Sequence, residues 1–444
     1  MATTIPTPAA ALGATAGPSA GRVAAHARRG YLKSVDFPIH MMVVWWLIWI
    51  TLSISPLTDF LKPSWATIAQ YLFLIVAFLC GHAFMRWFRP FNCQSAALAT
   101  RGMQTRTWRM RWALWVCATG CLALLVLSLK LAGAFENSFV EYFIRTRLAF
   151  AESSEPTLTG VHALDVLTKV FAYPISYSMV VMLLSIDLVG FRRLFLLCLA
   201  NILCFAYLWQ VNYPFIHLFW FMVFYTLLTA QRRGYFNKKI LIGAGLVFVG
   251  LIASAANRFG GDVLGGFQRY IVDYHLVGFS FYDHQYLDPN SVLHSPSYGR
   301  SSLGFVDHLL EAALKPLQLG YRAASFETGD ALEQGVDIGA NESMTFNAFG
   351  TILFSLYRDF DLPGIFLGGF VYGAAVTYLC YRSANSWRAG ALFLMMASAW
   401  MVGMMVSPLE EVYFWFTILT VGIFGLVNRG VHWRKPHTPS HALP

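Results

Sequence analysis

Charge is scarce in this chain: only 12% of its 444 residues are Asp, Glu, Lys or Arg. Soluble globular domains carry about 25%. With 57% hydrophobic residues and a mean hydropathy of +0.53, the composition excludes a cytosolic enzyme, a disordered scaffold and a disulfide-knit secreted domain. Cysteine is sparse too. Cys80, Cys93, Cys117, Cys121, Cys198, Cys204 and Cys380 lie in apolar runs or short connections, and none falls in the long polar stretch 257–343. There is no CxxC pair, so neither a disulfide framework nor a zinc site is implied. Cys117 and Cys121, one helical turn apart, read as packing residues. The start of the chain lacks the short basic segment and apolar core of a cleaved signal peptide. Residues 1–30 are rich in Ala, Pro, Thr and Gly and read as a disordered tail, followed by an uncleaved apolar anchor. No internal or inverted repeat is visible, and no Walker or Rossmann glycine pattern occurs.

What is present is apolar length. A membrane-crossing helix needs about 20 mainly apolar residues. Ten runs qualify, at about 39–56, 66–84, 112–132, 164–186, 194–211, 213–229, 240–256, 363–381, 389–407 and 412–428. An eleventh, 344–357, is too short alone, and charge decides its status. If it does not cross, 21 Lys and Arg fall on one side with only Asp36 and Asp187, leaving 11 basic and 21 acidic residues on the other. Basic residues collect on the cytoplasmic side. The +9 net charge therefore divides into +19 inside and −10 outside.

The expected fold class is all-α: a polytopic integral membrane protein of about ten transmembrane helices, both termini cytoplasmic, with a long periplasmic loop before the last three. Its divisions are a disordered cytoplasmic tail (1–35), a seven-helix membrane region (36–256), a loop with an interfacial helix (257–362), a three-helix membrane region (363–429) and a cytoplasmic tail (430–444).

Ionisable residues inside membrane helices mark ion or proton pathways, and here the helix centres are almost free of them. Asp165 and Lys169 sit at the outer end of one helix, and Glu410 and Glu411 at the outer start of the last. The chemistry is expected on the outer face. Arg258 and Arg269 flank Gly260, Gly261, Gly265 and Gly266, followed by Arg300, Arg322 and Arg358. Glycines allow close backbone approach, and guanidinium forks suit phosphate oxygens; a flexible loop with snorkelling arginines is the plain alternative. Tyr270, Tyr274, Phe279, Phe281, Tyr282 and Tyr286 either stack on sugar or seat the loop in the interface. His275, His284, His294 and His308 are candidate general bases. Asp273, His275, Asp283 and His284 form a loose cluster without fixed ligand spacing. The stretch from Asn341 to Gly373 runs through Asn347 to Arg358, Asp359 and Asp361, and Asp359-Phe360-Asp361 has the DxD form that holds divalent cations in some glycosyltransferases.

Asn347-Ala-Phe349, Tyr357-Arg-Asp359-Phe360 and Gly364 resemble the Wzy-type oligosaccharide repeat-unit polymerases of bacterial polysaccharide assembly. The opening of the long loop, with Arg258, its glycines and Tyr270, is a looser match, and the membrane layout agrees. The specific motif covers about residues 341–370; Asp361 stands where the family commonly has glycine, leaving metal, sugar or no role open for it. The resemblance implies glycosyl transfer at the periplasmic face of the bacterial inner membrane. A glycan on undecaprenyl pyrophosphate passes to the next lipid-linked repeat unit, with lipid pyrophosphate as leaving group. The donor is already activated, so no cofactor is implied; a cation at Asp359 and Asp361 is the variant of that reading.

On this footing Arg258, Arg300 and Arg358 hold the pyrophosphate, with Arg269 and Arg322 in reserve. Asp359 or His294 is the base, and Asn347 and Tyr270 position sugar. The partners implied are the lipid-linked oligosaccharide, the membrane, a chain-length regulator and a flippase of the same pathway, and no nucleic acid. An O-antigen ligase shares the donor but accepts lipid A core. A transporter or flippase is the rival of another class, against which the absence of deep charges and repeats argues.

Overall fold

The computed structural model describes residues 18–56, 58–88, 108–152, 157–186, 191–233, 238–258, 262–317, 320–333, 335–341, 343–346, 350–383 and 386–427. They are almost wholly helical. Helices α1 (Pro18–Ser53), α2 (Trp65–Phe88) and α3 (Trp108–Leu131) lead to a short helix α4 (Phe139–Glu152). Next come α5 (His162–Leu167), joined through a π turn to α6 (Tyr173–Ile186), then α7 (Arg192–Trp209), α8 (Tyr213–Arg233) and α9 (Lys238–Arg258). After the long loop, whose described residues form four short helices of their own, follow α14 (Ile352–Arg382), α15 (Trp387–Val402) and α16 (Val412–Val427). All ten apolar runs fall on these helices. Among the described residues six helices are long and apolar enough to cross a membrane, and Tyr213–Thr229, Trp387–Val402 and Val412–Phe424 are shorter apolar helices. The chain is a polytopic helical membrane protein.

Helix α1 already begins at Pro18, so residues 18–35, expected to be disordered, continue the first span as helix. Ala and Arg are strong helix formers, and extending a nucleated helix costs far less than starting one.

Two glycine contacts fix the central pair. A Cβ on Gly81 of α2 would run into the Phe370 carbonyl, and one on Gly373 of α14 into the Phe78 carbonyl. Gly369 and Gly373 are four apart, the spacing that lets membrane helices touch backbone to backbone.

The eleventh apolar stretch does not run straight into the helix that follows it. Helix α14 is broken at Phe360 (φ −151°) and Asp361 (φ 53°). Gly364 abuts the Leu356 carbonyl and Gly368 the Leu356 side chain, so the segments before and after the break fold back on each other as a tight hairpin. The first arm, 352–359, is a buried re-entrant half-helix: Ile352, Leu353, Phe354, Ser355, Leu356, Arg358 and Asp359 are all buried. The sequence reading placed this segment at or dipping into the interface. It lies inside the protein instead, with Ile352 N–H donating to Gly403 O at 2.6 Å.

The long loop is folded as well. It contains α10 (Val263–Phe267), α11 (Tyr274–Leu287), α12 (Gly304–Leu314), α13 (Ala324–Glu333) and a two-stranded hairpin, β1 (Val336–Asp337) with β2 (Thr345–Phe346). The hairpin region docks on the α1–α2 connection, where Leu61 N–H donates to Ile338 O at 2.8 Å. Helix α11 plunges into the bundle. Phe279, Phe281 and Tyr282 have no exposed surface. Ser280 Oγ donates to Leu61 O at 2.7 Å and Tyr282 Oη to Gln70 Oε1 at 2.6 Å. This part of the aromatic run is core, neither a sugar platform nor an interface belt. The connections 54–64 and 403–411 touch this loop directly, so they share its face of the bundle.

Candidate functional site

The polar groups of the loop face gather where the re-entrant arm ends. Arg358, 3% exposed, donates from Nη1 to Ala324 O at 2.7 Å and Thr328 Oγ1 at 2.6 Å, and from Nε to Ser295 O at 3.3 Å. Its Nη2 meets Glu327 Oε2 at 2.5 Å. Asp359, also buried, accepts from Ser297 Oγ at 2.5 Å and from the amides of Gly299 at 3.0 Å, Ser301 at 3.1 Å and Ser302 at 2.9 Å. A carboxylate has about four lone-pair sites; Asp359 has four donors. Together the two residues fasten the 295–303 turn and α13 to the membrane bundle.

Around them sits an arginine–carboxylate network. Arg300 Nε donates to Asp307 Oδ1 at 3.1 Å, and its Nη2 reaches the Arg322 carbonyl and Glu327 Oε1, the latter at 3.5 Å. Its guanidinium also lies 4.9 Å from the Tyr321 ring centroid, and hydrogen bonding and attraction by Asp307 raise its pKa. Arg322 pairs with Asp330, both half-exposed. Glu327 bridges Arg300 and Arg358. Three of the five expected arginines, Arg300, Arg322 and Arg358, are thus brought together, each already holding a carboxylate.

The other expected residues lie around this network or away from it. Arg269 lies 5.4 Å over the Phe346 ring at the hairpin. Arg258 and Tyr270 lie on described backbone, but their side chains, like Asn347 as a whole, fall outside the described residues. His294 is exposed, its Nε2 donating to Tyr286 O at 3.1 Å beside the Tyr286 and Tyr357 rings. His275 is buried against Trp49 at 4.4 Å, and His308 contacts Ser325 Oγ at 2.7 Å with its pKa lowered by burial. Asp361 is exposed on the hairpin turn, whereas the Asp359 carboxylate points inward to its four donors, so the DxD pair does not converge. Among the described residues no three His, Cys, Asp or Glu side chains are placed to hold a metal ion.

The connection before α16 adds two carboxylates. Glu410 accepts from Ser355 Oγ at 2.7 Å, and Ser355 lies 2.5 Å from Ser407 Oγ. Gly304 packs against the Glu410 backbone so closely that a Cβ there would sit 2.7 Å from it. Desolvation pushes Glu410 and Glu411 up to about 7; for Glu410 the Ser355 hydrogen bond and Arg358 pull the other way. Below Glu411 lies a cage of Tyr173, Tyr213 and Tyr413, with His217 bridging Ser398 Oγ and Tyr413 Oη at 2.9 Å each. Sequence position marked the two glutamates only as a helix start. Glu327 and Asp307, the carboxylates that organise the arginines, had no signal in spacing or motif.

No family model, curated protein or solved structure matches this chain.

Proposed function

We propose that this protein polymerises undecaprenyl-pyrophosphate-linked oligosaccharide repeat units at the periplasmic face of a bacterial inner membrane. The observation that carries the reading is Glu410. It is a carboxylate with a pKa of about 7, fixed by Ser355 and adjoining the arginine network on the loop face of a membrane protein. General bases work best with a pKa near the operating pH. The acceptor sugar hydroxyl attacks the anomeric carbon of the donor and its proton passes to Glu410. The bond from that carbon to the pyrophosphate oxygen breaks, and the electron pair leaves with the lipid pyrophosphate. Charge-assisted hydrogen bonds contribute roughly 1.5–3 kcal/mol each. Arg322, half-exposed, and Arg300, one-third exposed, are the donors with surface left to meet that charge. Arg358 and Asp359 hold the platform together rather than touching substrate.

The test is the glycan profile of a deletion strain. Single lipid-linked repeat units accumulating on the periplasmic side are the expected result. Normal polymer overturns the proposal. Polymer retained on its lipid carrier indicates a ligase, and repeat units trapped on the cytoplasmic side indicate a flippase.

A further inference from the structure

Helices α7 and α8 are joined by only Gln210, Val211 and Asn212, a turn that normally folds two helices against each other. Here they diverge. Helix α7 packs on α3 and α6, while α8 packs on α9 and α15. The wedge between them, closed on its third side by α9, is an apolar groove of about 700 Å³, within the ~300–1,000 Å³ range of ligand sites. It is lined along α7 from Leu199 to Gln210, which at 1.5 Å per residue is roughly 16 Å. That is about half the ~30 Å hydrocarbon core, so the groove serves the leaflet next to the loop face. Its deeper wall is hydrocarbon, including Leu203, Leu218 and Leu246. The polar groups Gln210 and Asn212 sit at its loop-face end. The residue after Asn212 is Tyr213, which stacks on Tyr413 at 6.3 Å and lies within electrostatic reach of Glu411.

We infer that this groove holds the polyprenyl chain of the lipid-linked substrate, with its head group delivered to the Glu410–Glu411 end. The inference rests on the proposed function. Hydrocarbon fills any wedge inside a membrane. The single groove suits a one-chain lipid better than a two-chain phospholipid, and its loop-face end at Asn212 precedes Tyr213, which lies within electrostatic reach of Glu411. The apolar patch on α3 around Trp115 and Gly120 is of similar size, about 730 Å³, but among the described residues α3 alone lines it.

Gly250 on the α9 wall makes the test direct, because a Cβ there meets nothing within 4 Å. Gly250→Phe directs a ring from that open position into the groove, Leu203→Trp fills it from the rim, and Gly120→Phe, equally open at Cβ, is the control on α3. Undecaprenyl phosphate is titrated into each protein in phosphatidylcholine nanodiscs, and retained lipid is read by native mass spectrometry against phosphatidylglycerol. At least tenfold preference for undecaprenyl phosphate is expected in wild type and in Gly120→Phe, lost in both groove variants. Retention in the groove variants, or equal retention of phosphatidylglycerol by wild type, overturns the inference. Lost binding in a protein whose deletion leaves glycan unchanged keeps the groove and removes the polymerase. Accumulated repeat units on deletion, with normal binding in Gly250→Phe, do the reverse.

Discussion

The Arg358 guanidinium meets the Glu327 carboxylate at 2.5 Å, with the arginine side chain 2% exposed and the glutamate 35%. One residue closes the re-entrant arm, the other lies on α13 in the loop, so the pair ties loop to membrane bundle. Truncating one partner of a buried ion pair costs about 3–5 kcal/mol because the other charge is stranded. Glu327 has solvent access, so Arg358→Ala is expected at the lower end of that range. Arg358→Lys should not rescue it, since an ammonium cannot serve four acceptors in a plane. Thermal unfolding in detergent, with limited proteolysis of the 295–330 segment, measures both; a wild-type midpoint for Arg358→Ala sinks the assignment.

The two aspartates of the DxD sequence should separate cleanly. Asp359→Ala strands three amides and a hydroxyl in a buried turn, and each unsatisfied group costs about 1–3 kcal/mol. The 295–303 turn is expected to become protease-sensitive. Asp361 is exposed with φ 53°, a region glycine adopts freely and β-branched residues rarely do. Asp361→Gly should be as stable as wild type and Asp361→Val less stable. Equal, cation-reversible loss in Asp359→Ala and Asp361→Gly would restore the metal reading.

The glycine seam between α2 and α14 gives a third measurement. Gly373→Leu drives a side chain into the Phe78 backbone. Overpacking costs typically 1–3 kcal/mol, and backbone cannot yield as a flexible side chain can. A lower unfolding midpoint is expected, whereas Gly422→Leu on α16, where nothing lies within 4 Å, should behave as wild type.

Apolar length made the polytopic helical character legible, because crossing the hydrocarbon core takes a run of about 20 apolar residues; among the described residues six helices reach that length and three apolar helices are shorter. Charge placement leads to the expectation that 344–357 does not cross, but it carries no sign that Asp361 and the small Gly364 and Gly368 fold 352–359 back against the following helix. The site was harder. Arg300, Arg322 and Arg358 stand out by residue type, and the structure does bring them together. Their partners Glu327 and Asp307 are ordinary helix-face acids in sequence, and only tertiary packing brings Glu327 to Arg300 and Arg358, 27 and 31 positions away, and turns Asp307 back onto Arg300. Asp359 stands out in sequence as an acid beside an arginine at a helix end, whereas the four donors of the 297–302 turn that surround it carry no sequence signal.

Glu410 gives the sharpest test, because its two consequences run in opposite directions with pH. Its pKa in the folded protein, about 7, lies above the ordinary 4.5. Between those values the folded state keeps a proton that the unfolded state has released. Stability from this group is therefore present at low pH, falls as pH rises from about 4.5 to about 7, and is flat above. A general base needs the charged form, so turnover should rise with pH through a midpoint near 7. Glu410→Gln should make the stability profile shallower over that window, Glu411 supplying the slope that remains, and lower turnover about 10²–10⁴-fold without lowering the unfolding midpoint at pH 8. Measuring both on purified protein with a lipid-linked repeat unit separates chemistry from architecture. If turnover and unfolding midpoint fall together, Glu410 is one more fastener between turn and bundle, and the base lies elsewhere on the loop face.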